Sequence, residues 1–408
     1  MSQGFRLSSS LRAECLEVTL DRARSLAQDL GISRVTDITR LDCVGVPVFA
    51  SIRPDAQPGS LCVNAGKGIT VAEARAGAYM EAIEYAFAEY NRASLDVVWA
   101  PAGEIYEGKS RRTAILDFCP VMNAEIDLEE PLPCVEATDV CSGRKYLVPA
   151  ELVFLPFPSH LGGRHYFGAN SNGLCSGNSV LEATIHGIAE VIERDICSFQ
   201  AIDDTSELVT NRSLPYSIKK IESSLSALGM NLLVRYVENI FRIPYFMAVV
   251  AESKAINPIY VSVGYGCHPL KEIAVTRAVC EALQSRLSFI HGGRDDLVNR
   301  YKRFKRASAK EQARYADHLL AQVSRDSSSI RFGSVSDHAE VISDLSSALD
   351  VLIDALARNG FKRVLRLVYT PPQSPLKVLR ILIPRLECFT ETTARVGVRL
   401  RDYVKAQL

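Results

Sequence analysis

The sequence lacks an excess of charge of either sign. Its 408 residues include 47 basic and 47 acidic side chains, so the formal net charge is zero. Without a positive excess, the overall field provides no attraction to nucleic acid or to an anionic membrane surface. We therefore expect neither partner, and a polyanionic ligand would have to be bound by a local site.

Long apolar runs are missing as well. Stretches such as IPYFMAVVA are too short to cross a bilayer, and the segment MSQGFRLSSSLRAECLE contains no apolar signal-peptide core. The hydrophobic content of 47% is nevertheless sufficient for a large buried core. We expect a globular, cytoplasmic protein.

Several familiar catalytic motifs are absent too. The eleven cysteines include no CxxC pair, and such an odd, dispersed set favours reduced structural thiols over zinc ligands or disulfides. The sequence contains no GxGxxG turn, GxSxG elbow or HExxH pair. These absences argue against Rossmann, serine-hydrolase and zincin sites.

The chain does contain one spacing of glutamates in two segments, EARAGAYMEAIEY and EATIHGIAEVIER. Intervals of eight and then three residues separate Glu73, Glu81 and Glu84 in the first, and Glu182, Glu190 and Glu193 in the second. At about 100° per residue, each set lies within an arc of roughly 80° on an α-helix. Like charges on one helix face repel, and a divalent cation with oxygen ligands would compensate them.

A third segment, LKEIAVTRAVCEALQSRLSFIH, repeats the inner part of this pattern. Gln284 follows Glu281 by three residues, and Arg277 precedes it by four, as His186 precedes Glu190. Small neighbouring residues permit close packing, so we infer three helices around a polar centre.

Buried carboxylates require cations or protons, and Mg²⁺ commonly binds carboxylates together with phosphate oxygens. Candidates for the remaining phosphate charge are Lys67, Arg194, Arg277, Arg286 and Arg294. The pattern indicates a nucleoside triphosphate site.

A solvated helix face with lysine or arginine partners is the competing interpretation of either glutamate set alone. The repeated spacing and the scarcity of lysine at i+4 favour the site. His186 could equally be a core or surface histidine, and the GKG sequence around Lys67 is a common turn. A structural α+β protein with surface glutamates therefore remains an alternative at this level.

Helical and strand patterns alternate without a regular repeat, which predicts an α+β chain. Helices are predicted over residues 8–30, 71–91, 302–326 and 337–359 and in the second and third acidic segments. Thr70 is a candidate N-cap for the first acidic helix. The segments FKRVLRLVYT and LKVLRILIP are predicted to be closing strands.

Five segments resemble, in order, the successive motifs of YcaO-domain proteins. They are DITRLDCVGVPVFASIRPD, NAGKGITVAEARAGAYMEAIEY, SNGLCSGNSVLEATIHGIAEVIERD, TRAVCEALQSRLSFIHGGRDD and VLRILIPRLE. The resemblance spans residues 33–388, with a helical segment over 1–32 and a tail over 389–408 outside it. It implies an α+β ATP-binding fold with mixed or antiparallel sheets, in which glutamates from several helices hold Mg²⁺ on the triphosphate.

The resemblance also implies ligand roles by position. The implied Mg²⁺ ligands are Glu81, Glu84, Glu190, Glu193 and Glu281. The implied ATP contacts are Ser171, Asn172, Arg194, Arg277, Gln284, Arg286 and Arg294, to which the residue pattern adds Lys67 and His186. One position departs from the family: Gly77 replaces the usual serine, so a hydroxyl contact to the nucleotide or a metal-bound water is either missing or replaced by solvent. No single residue is identified as catalytic.

For function, the resemblance implies ATP-dependent activation of a backbone amide in a peptide or protein. An adjacent Cys, Ser or Thr would then give an azoline, and external sulfide a thioamide. Azoline-forming members often carry a PxPxP tail, whereas this sequence has no proline after Pro384. We therefore expect thioamide formation by a homodimer with a TfuA-like partner. The alternatives are a cyclodehydratase with a separate precursor-binding, E1-like protein, and a non-catalytic ATP-binding accessory factor.

Overall fold

The computed structural model describes residues 5–105, 111–253, 260–298, 302, 306–325, 328–390 and 393–407. The chain divides into two compact units. Unit 1 comprises Met1–Ala56, Leu61–Ala82 and Thr205–Ser343, and unit 2 comprises Gln57–Ser60, Ile83–Asp204 and Asp344–Leu408.

The helices in these ranges are, in chain order, α1 (Leu16–Ala27), α2 (Val71–Ala88), α3 (Arg111–Leu116), α4 (Val180–Gln200), α5 (Tyr216–Ala227), α6 (Lys271–His291), α7 (Ala309–Val323), α8 (Leu345–Arg358) and α9 (Val398–Gln407). Helices α2, α4 and α6 confirm the predicted helical character of the three acidic segments. None of the helices in the described ranges combines the length and apolar character needed to span a membrane.

The strands are β1 (Phe5–Arg6), β2 (Leu11–Arg12), β3 (Arg34–Asp37), β4 (Val48–Ile52), β5 (Val63–Lys67), β6 (Val97–Pro101), β7 (Pro131–Asp139), β8 (Lys145–Pro149), β9 (Leu174–Gly177), β10 (Glu207–Val209), β11 (Met230–Tyr236), β12 (Tyr245–Glu252), β13 (Val261–Cys267), β14 (Ser329–Ile330), β15 (Leu365–Val368) and β16 (Lys377–Leu382). Both predicted closing strands are present as β15 and β16.

Two helix starts were predicted too early. Residues 8–15 do not continue α1, because the chain turns between β1 and β2, where Leu7 N donates to Ser10 O at 2.8 Å. The three serines at 8–10 favour such a turn, since their hydroxyls compete for backbone hydrogen bonds. Helix α8 begins at Leu345 rather than 337, because Asp344 caps it by accepting the Ser347 N–H at 2.8 Å.

Unit 1 is built around two sheets. The five-stranded sheet has the order β13-β12-β11-β10-β14 and is antiparallel except for the β10–β14 pair. Helices α5 and α6 share a hydrophobic core with one face of this sheet, and Ala316 of α7 packs on the other face. The three-stranded sheet β3-β4-β5 lies between α6, which contributes Leu287, and α2, which contributes Ala74 and Ala78.

Unit 2 is built on one sheet with the order β6-β7-β15-β16-β9, in which β8 also pairs with β7 and every pair is antiparallel. Helix α4 packs on β9 and β16, and α8 packs on α4. The mixed helix content and largely antiparallel sheets confirm the predicted α+β class. In each unit, an acidic helix thus lies against a sheet.

Candidate functional site

The outermost glutamate of the first set lies at the start of α2, away from its inner partners. Thr70 Oγ1 accepts the Glu73 N–H at 3.2 Å, which confirms Thr70 as the N-cap. The Glu73 carboxylate accepts the Thr70 N–H at 3.1 Å and the Ser8 hydroxyl at 2.6 Å. Glu73 therefore caps the helix and holds the N-terminal hairpin, and it plays no part in the acidic cluster.

Helix α2 packs unusually closely on β5, and Gly77 is part of this contact. A Cβ at Gly66 would lie 2.0 Å from the Ala78 nitrogen, and one at Gly77 would lie 3.3 Å from the Gly66 Cα. A serine at position 77 would push the helix and the strand apart. The glycine thus permits a shorter distance between the strand that carries Lys67 and the helix that carries Glu81.

Four predicted site residues of unit 1 meet along β5. Glu81 Oε2 accepts the Ala65 N–H at 3.0 Å, and the Gln284 side-chain amide donates to the Ala65 carbonyl. Two residues further along the strand, Lys67 Nζ lies 2.7 Å from Glu281 Oε2. The sheet position between α2 and α6 therefore brings the first and third acidic helices to one strand.

The electrostatics of this cluster suit a further cation. Burial raises the pKa of Glu81, and the positive charges of Arg294 and Lys67 oppose this effect without cancelling it. Lys67 and Glu281 remain about one quarter exposed, at 24% and 22%. A divalent cation with oxygen ligands would stabilise the ionised Glu81, so the residues present fit Mg²⁺.

Arg286 has a different environment from the other cationic candidates. Its Nε lies 2.9 Å from Asp42 Oδ2, and its Nη2 lies 3.3 Å from Glu252 Oε1. Only 6% of its side chain is exposed. Because two carboxylates already balance its charge, Arg286 anchors the segment around Asp42 in this structure, and its contact with ATP stays a prediction.

The other two arginine candidates of unit 1, Arg277 and Arg294, are half-buried. Arg294 forms an ion pair with Asp296 at 2.8 Å and contributes positive charge near Glu81. Arg277 lies on α6 one turn before Glu281, and its charge acts on the buried His268. The contacts of Arg277 and Arg294 with ATP stay predictions.

In unit 2, two of the predicted metal ligands act on the same buried thiol. Burial raises the pKa of Cys175 well above its usual value, and the charges of Glu84 and Glu190 raise it further. Glu84 also accepts the Ser176 hydroxyl at 2.6 Å. The carboxylates of Glu190, on the second acidic helix, and Glu84, near the end of α2, therefore both lie near Cys175 on β9.

The remaining candidates of unit 2 flank this region. Glu193 Oε1 lies 3.5 Å from Arg194 Nη2, and His186 is half-buried on the same helix, one turn before Glu190. The loop before β9 carries Ser171, whose carbonyl accepts the Leu174 N–H at 2.9 Å, and Asn172. The loop therefore leads directly into the strand next to the glutamates.

Across the described ranges, no three or more His, Cys, Asp and Glu side chains are gathered closely enough to hold a metal ion. The carboxylates bond instead to protein groups such as Lys67, Ser176 and the Ala65 N–H. The five-glutamate ligand set and the ATP contacts accordingly stay predictions. Their chemistry, oxygen donors beside ammonium and guanidinium groups, is that of a metal–phosphate site.

Two buried residues of unit 2 escaped the sequence interpretation. Arg380 on β16 and Glu151 after β8 contact the backbone of the segment that carries Ser171 and Asn172. Each stands alone in an apolar run, in VLRILIP and VPAELVF. A charged residue in such a run is a signal that could have found them, because burying an ion without a partner is costly.

The fold is α+β, and oxygen donors beside cationic side chains are chemically suited to a metal–nucleotide complex. A family model described as YcaO cyclodehydratase, ATP- and Mg²⁺-binding, matches residues 65–387. The chain belongs to the YcaO family. The family description confirms the predicted cofactors, ATP and Mg²⁺, and agrees with an ATP-dependent peptide-modifying enzyme.

Three individual proteins show how far the similarity extends. An uncharacterised protein of Methanothermobacter thermautotrophicus is 32% identical over 379 residues, which cover 92% of this chain and 94% of that protein. An uncharacterised protein in the tfuA 3′ region of Rhizobium leguminosarum bv. trifolii is 30% identical over 383 residues, covering 90% and 87%. The solved structure of YcaO from Methanopyrus kandleri, bound with AMPPCP and Mg²⁺, has 22% identity, coverage of 97% and 98%, and a TM-score of 0.76, which confirms the fold.

Proposed function

We propose that this protein uses Mg²⁺ and ATP to activate a backbone amide of a peptide or protein substrate, leading to a thioamide. The observation that carries the proposal is the meeting of Glu81, Gln284, Lys67 and Glu281 along β5. In a member of a family described as ATP- and Mg²⁺-binding, this combination of carboxylates and a partly exposed ammonium suits a metal-bound triphosphate.

The proposed roles follow the sequence pattern. The Mg²⁺ ligands are Glu81, Glu84, Glu190, Glu193 and Glu281, and the ATP contacts are Lys67, Ser171, Asn172, His186, Arg194, Arg277, Gln284, Arg286 and Arg294. Mg²⁺, when bound, supplies charge neutralisation at the phosphates. Lys67 then exchanges its carboxylate partner for a phosphate oxygen. These residues belong to a proposed YcaO domain over residues 33–388.

The reaction requires positioning and charge neutralisation more than a protein nucleophile. The amide oxygen attacks the γ-phosphorus, and ADP leaves. Sulfide then attacks the activated carbon, and phosphate departs with the former amide oxygen. The protein's part is to hold the amide oxygen in line with the leaving ADP and to keep water from the activated carbon.

The name of one relative supports the thioamide assignment. The Rhizobium protein is encoded in a tfuA 3′ region and matches this chain over most of both lengths. We accordingly propose a TfuA-like partner that delivers sulfur, and a homodimer as the working form. The family description as a cyclodehydratase favours the second candidate, azoline formation with a separate precursor-binding protein.

Titration calorimetry with Mg²⁺ and ATP tests the site. The wild-type protein is expected to bind, whereas Glu81→Ala and Glu190→Ala are expected to lose binding because each removes a metal ligand. Glu73→Gln is the matched control, since Glu73 lies on α2 but caps its start. Unchanged binding in both alanine variants would exclude the metal site.

The product distinguishes the candidate reactions. With a peptide substrate, sulfide and the TfuA-like partner, mass spectrometry is expected to show the replacement of oxygen by sulfur. Loss of one water would indicate an azoline instead. A protein that binds Mg²⁺ and ATP but consumes no ATP with any combination of substrate and partner would be the accessory factor of the third interpretation.

A further inference from the structure

The loop that carries Ser171 and Asn172 is held by a buried carboxylate at its beginning. We define the 166–173 loop as residues 166 to 173, which precede β9. Glu151 Oε2 accepts the N–H groups of Tyr166 at 2.9 Å and Phe167 at 3.1 Å, and its Oε1 accepts that of Gly168 at 2.7 Å. One side chain therefore fixes three consecutive peptide units.

A buried guanidinium holds the end of the same loop. Arg380 Nη1 donates to the carbonyl of Asn170 at 2.8 Å and to that of Asn172 at 3.0 Å. Its Nε donates to the Tyr369 hydroxyl at 3.1 Å, and only 1% of the residue is exposed. Arg380 belongs to VLRILIPRLE, one of the two segments of the family pattern to which the proposed site assigns no residue.

The two contacts are complementary. The carboxylate binds N–H groups and the guanidinium binds carbonyl groups, so each ion is solvated by the dipoles of a single loop. Loops are ordinarily mobile, and a buried ion without polar partners would be strongly disfavoured. The loop and the two ions consequently stabilise one another.

Backbone packing restricts the loop further. Gly173 has a φ of +75°, in the left-handed region, and a Cβ there would lie 2.1 Å from the Ile381 carbonyl oxygen. The Ile381 N–H donates to the Gly173 carbonyl at 2.9 Å. Strand β16 thus fixes the position immediately after Asn172 through Ile381, the neighbour of Arg380.

Two polar atoms beside this junction have no hydrogen-bond partner within the described part of the chain. They are Asn172 Oδ1 and Arg380 Nη2, both of which are buried. Buried polar groups are paired in the large majority of cases. Asn172 and Arg380 are hydrogen-bonded to each other, and one further acceptor and one further donor remain beside this bond. Their presence indicates that the loop is held in its conformation for a polar group that binds there.

We propose that Glu151 and Arg380 are positioning residues that preset the 166–173 loop for the nucleotide. They act through the loop backbone, so that Ser171 and Asn172 are in place before Mg²⁺ and ATP arrive. The inference rests on the proposed function in one respect, namely that Ser171 and Asn172 contact ATP.

The test compares ATP affinity with stability in the full chain. Arg380→Lys and Glu151→Gln are expected to weaken Mg²⁺–ATP binding about tenfold in calorimetry. In these variants the loop becomes ordered only when the nucleotide binds, and the free-energy cost of ordering it reduces the affinity. Arg395→Lys is the matched control. Arg395 is also buried and also donates to two carbonyls, of Phe118 and Cys119, at 2.6 and 2.9 Å. Its variant is expected to lower the melting temperature similarly and to leave the affinity unchanged.

A double variant separates positioning from general destabilisation. Asn172→Ala removes the proposed nucleotide contact, and adding Arg380→Lys to it is expected to weaken binding by much less than the product of the two single effects. Amide hydrogen exchange, read by mass spectrometry, is expected to rise over residues 166–173 in Arg380→Lys and in Glu151→Gln but not in Arg395→Lys.

The outcomes distinguish this inference from the proposed function. Wild-type protein that fails to bind Mg²⁺ and ATP overturns both. Wild-type binding with unchanged affinity in Arg380→Lys and Glu151→Gln overturns the positioning role alone, as does equal weakening in the Arg395 control. Multiplicative effects in the double variant also overturn it, because they would mean that Arg380 acts independently of Asn172.

Discussion

Replacing His268 by asparagine is expected to remove a large part of the protein's sensitivity to acid. Burial, together with the positive charges of Arg277 and Arg6, lowers the pKa of His268 from 6.5 to about 3. Its Nδ1 accepts the Leu270 N–H at 3.0 Å, at the start of α6. The folded protein thus requires the neutral imidazole. A protonated imidazolium could not accept this hydrogen bond, because both of its ring nitrogens carry protons.

The direction and size follow from this lowered pKa. The histidine's contribution to stability is fully present above the unfolded pKa of 6.5 and is lost as the pH falls towards 3. At 1.36 kcal/mol per pKa unit, the whole effect is about 5 kcal/mol, of which about 2 kcal/mol is lost between pH 7 and pH 5. An asparagine Oδ1 can accept the same N–H at either pH.

Urea unfolding of the full chain at pH 7 and pH 5 measures the difference. Wild-type protein is expected to lose about 2 kcal/mol more than His268→Asn over this interval. His318→Asn, at an exposed position on α7, is the control and is expected to behave as wild type. Equal losses in wild type and His268→Asn would refute the assignment of a neutral, buried imidazole to this position.

Two further predictions concern packing and charge. Gly264→Ala is expected to lower the free energy of unfolding by about 3 kcal/mol, since its Cβ would lie 2.1 Å from the Ala282 nitrogen; Gly333→Ala, with open space around it, is the control in the same thermal denaturation experiment. Arg399→Gln is expected to cost about 3 kcal/mol at pH 8, because it removes the cation 2.5 Å from the buried Asp195 carboxylate. Burial raises the pKa of Asp195 to about 6. The cost of Arg399→Gln should therefore shrink at pH 5, where the protonated carboxyl needs no cation. An equal cost at both pH values would contradict the pairing.

Sequence periodicity was sufficient for the acidic helices. Glutamates and small residues recur at helical spacing in α2, α4 and α6, and the local signals for their beginnings, such as Thr70, lie in the same segments. The N-terminal hairpin could not be found in this way. Its turn at Ser8 is stabilised by Glu73, a residue 65 positions away, so the local pattern alone favoured a helix.

The same distinction applies to the candidate site. The spacing of Glu81 and Glu281 indicated that they share a site, because their helical faces repeat one pattern. The environment of Arg286 depends on Asp42, 244 positions away, and could not be read from spacing. Arg380 binds backbone carbonyls. Because every residue type has a carbonyl, the sequence does not show which residues accept its hydrogen bonds.

The ion pair between Lys67 and Glu281 bears on the order in which the protein is assembled. Like-charged carboxylates would oppose the docking of α6 beside β5 if they had to await an external cation. Lys67 provides that charge from within the chain, 2.7 Å from the carboxylate. The chain therefore carries its own counter-charge for Glu281 and can complete this unit before magnesium and nucleotide arrive.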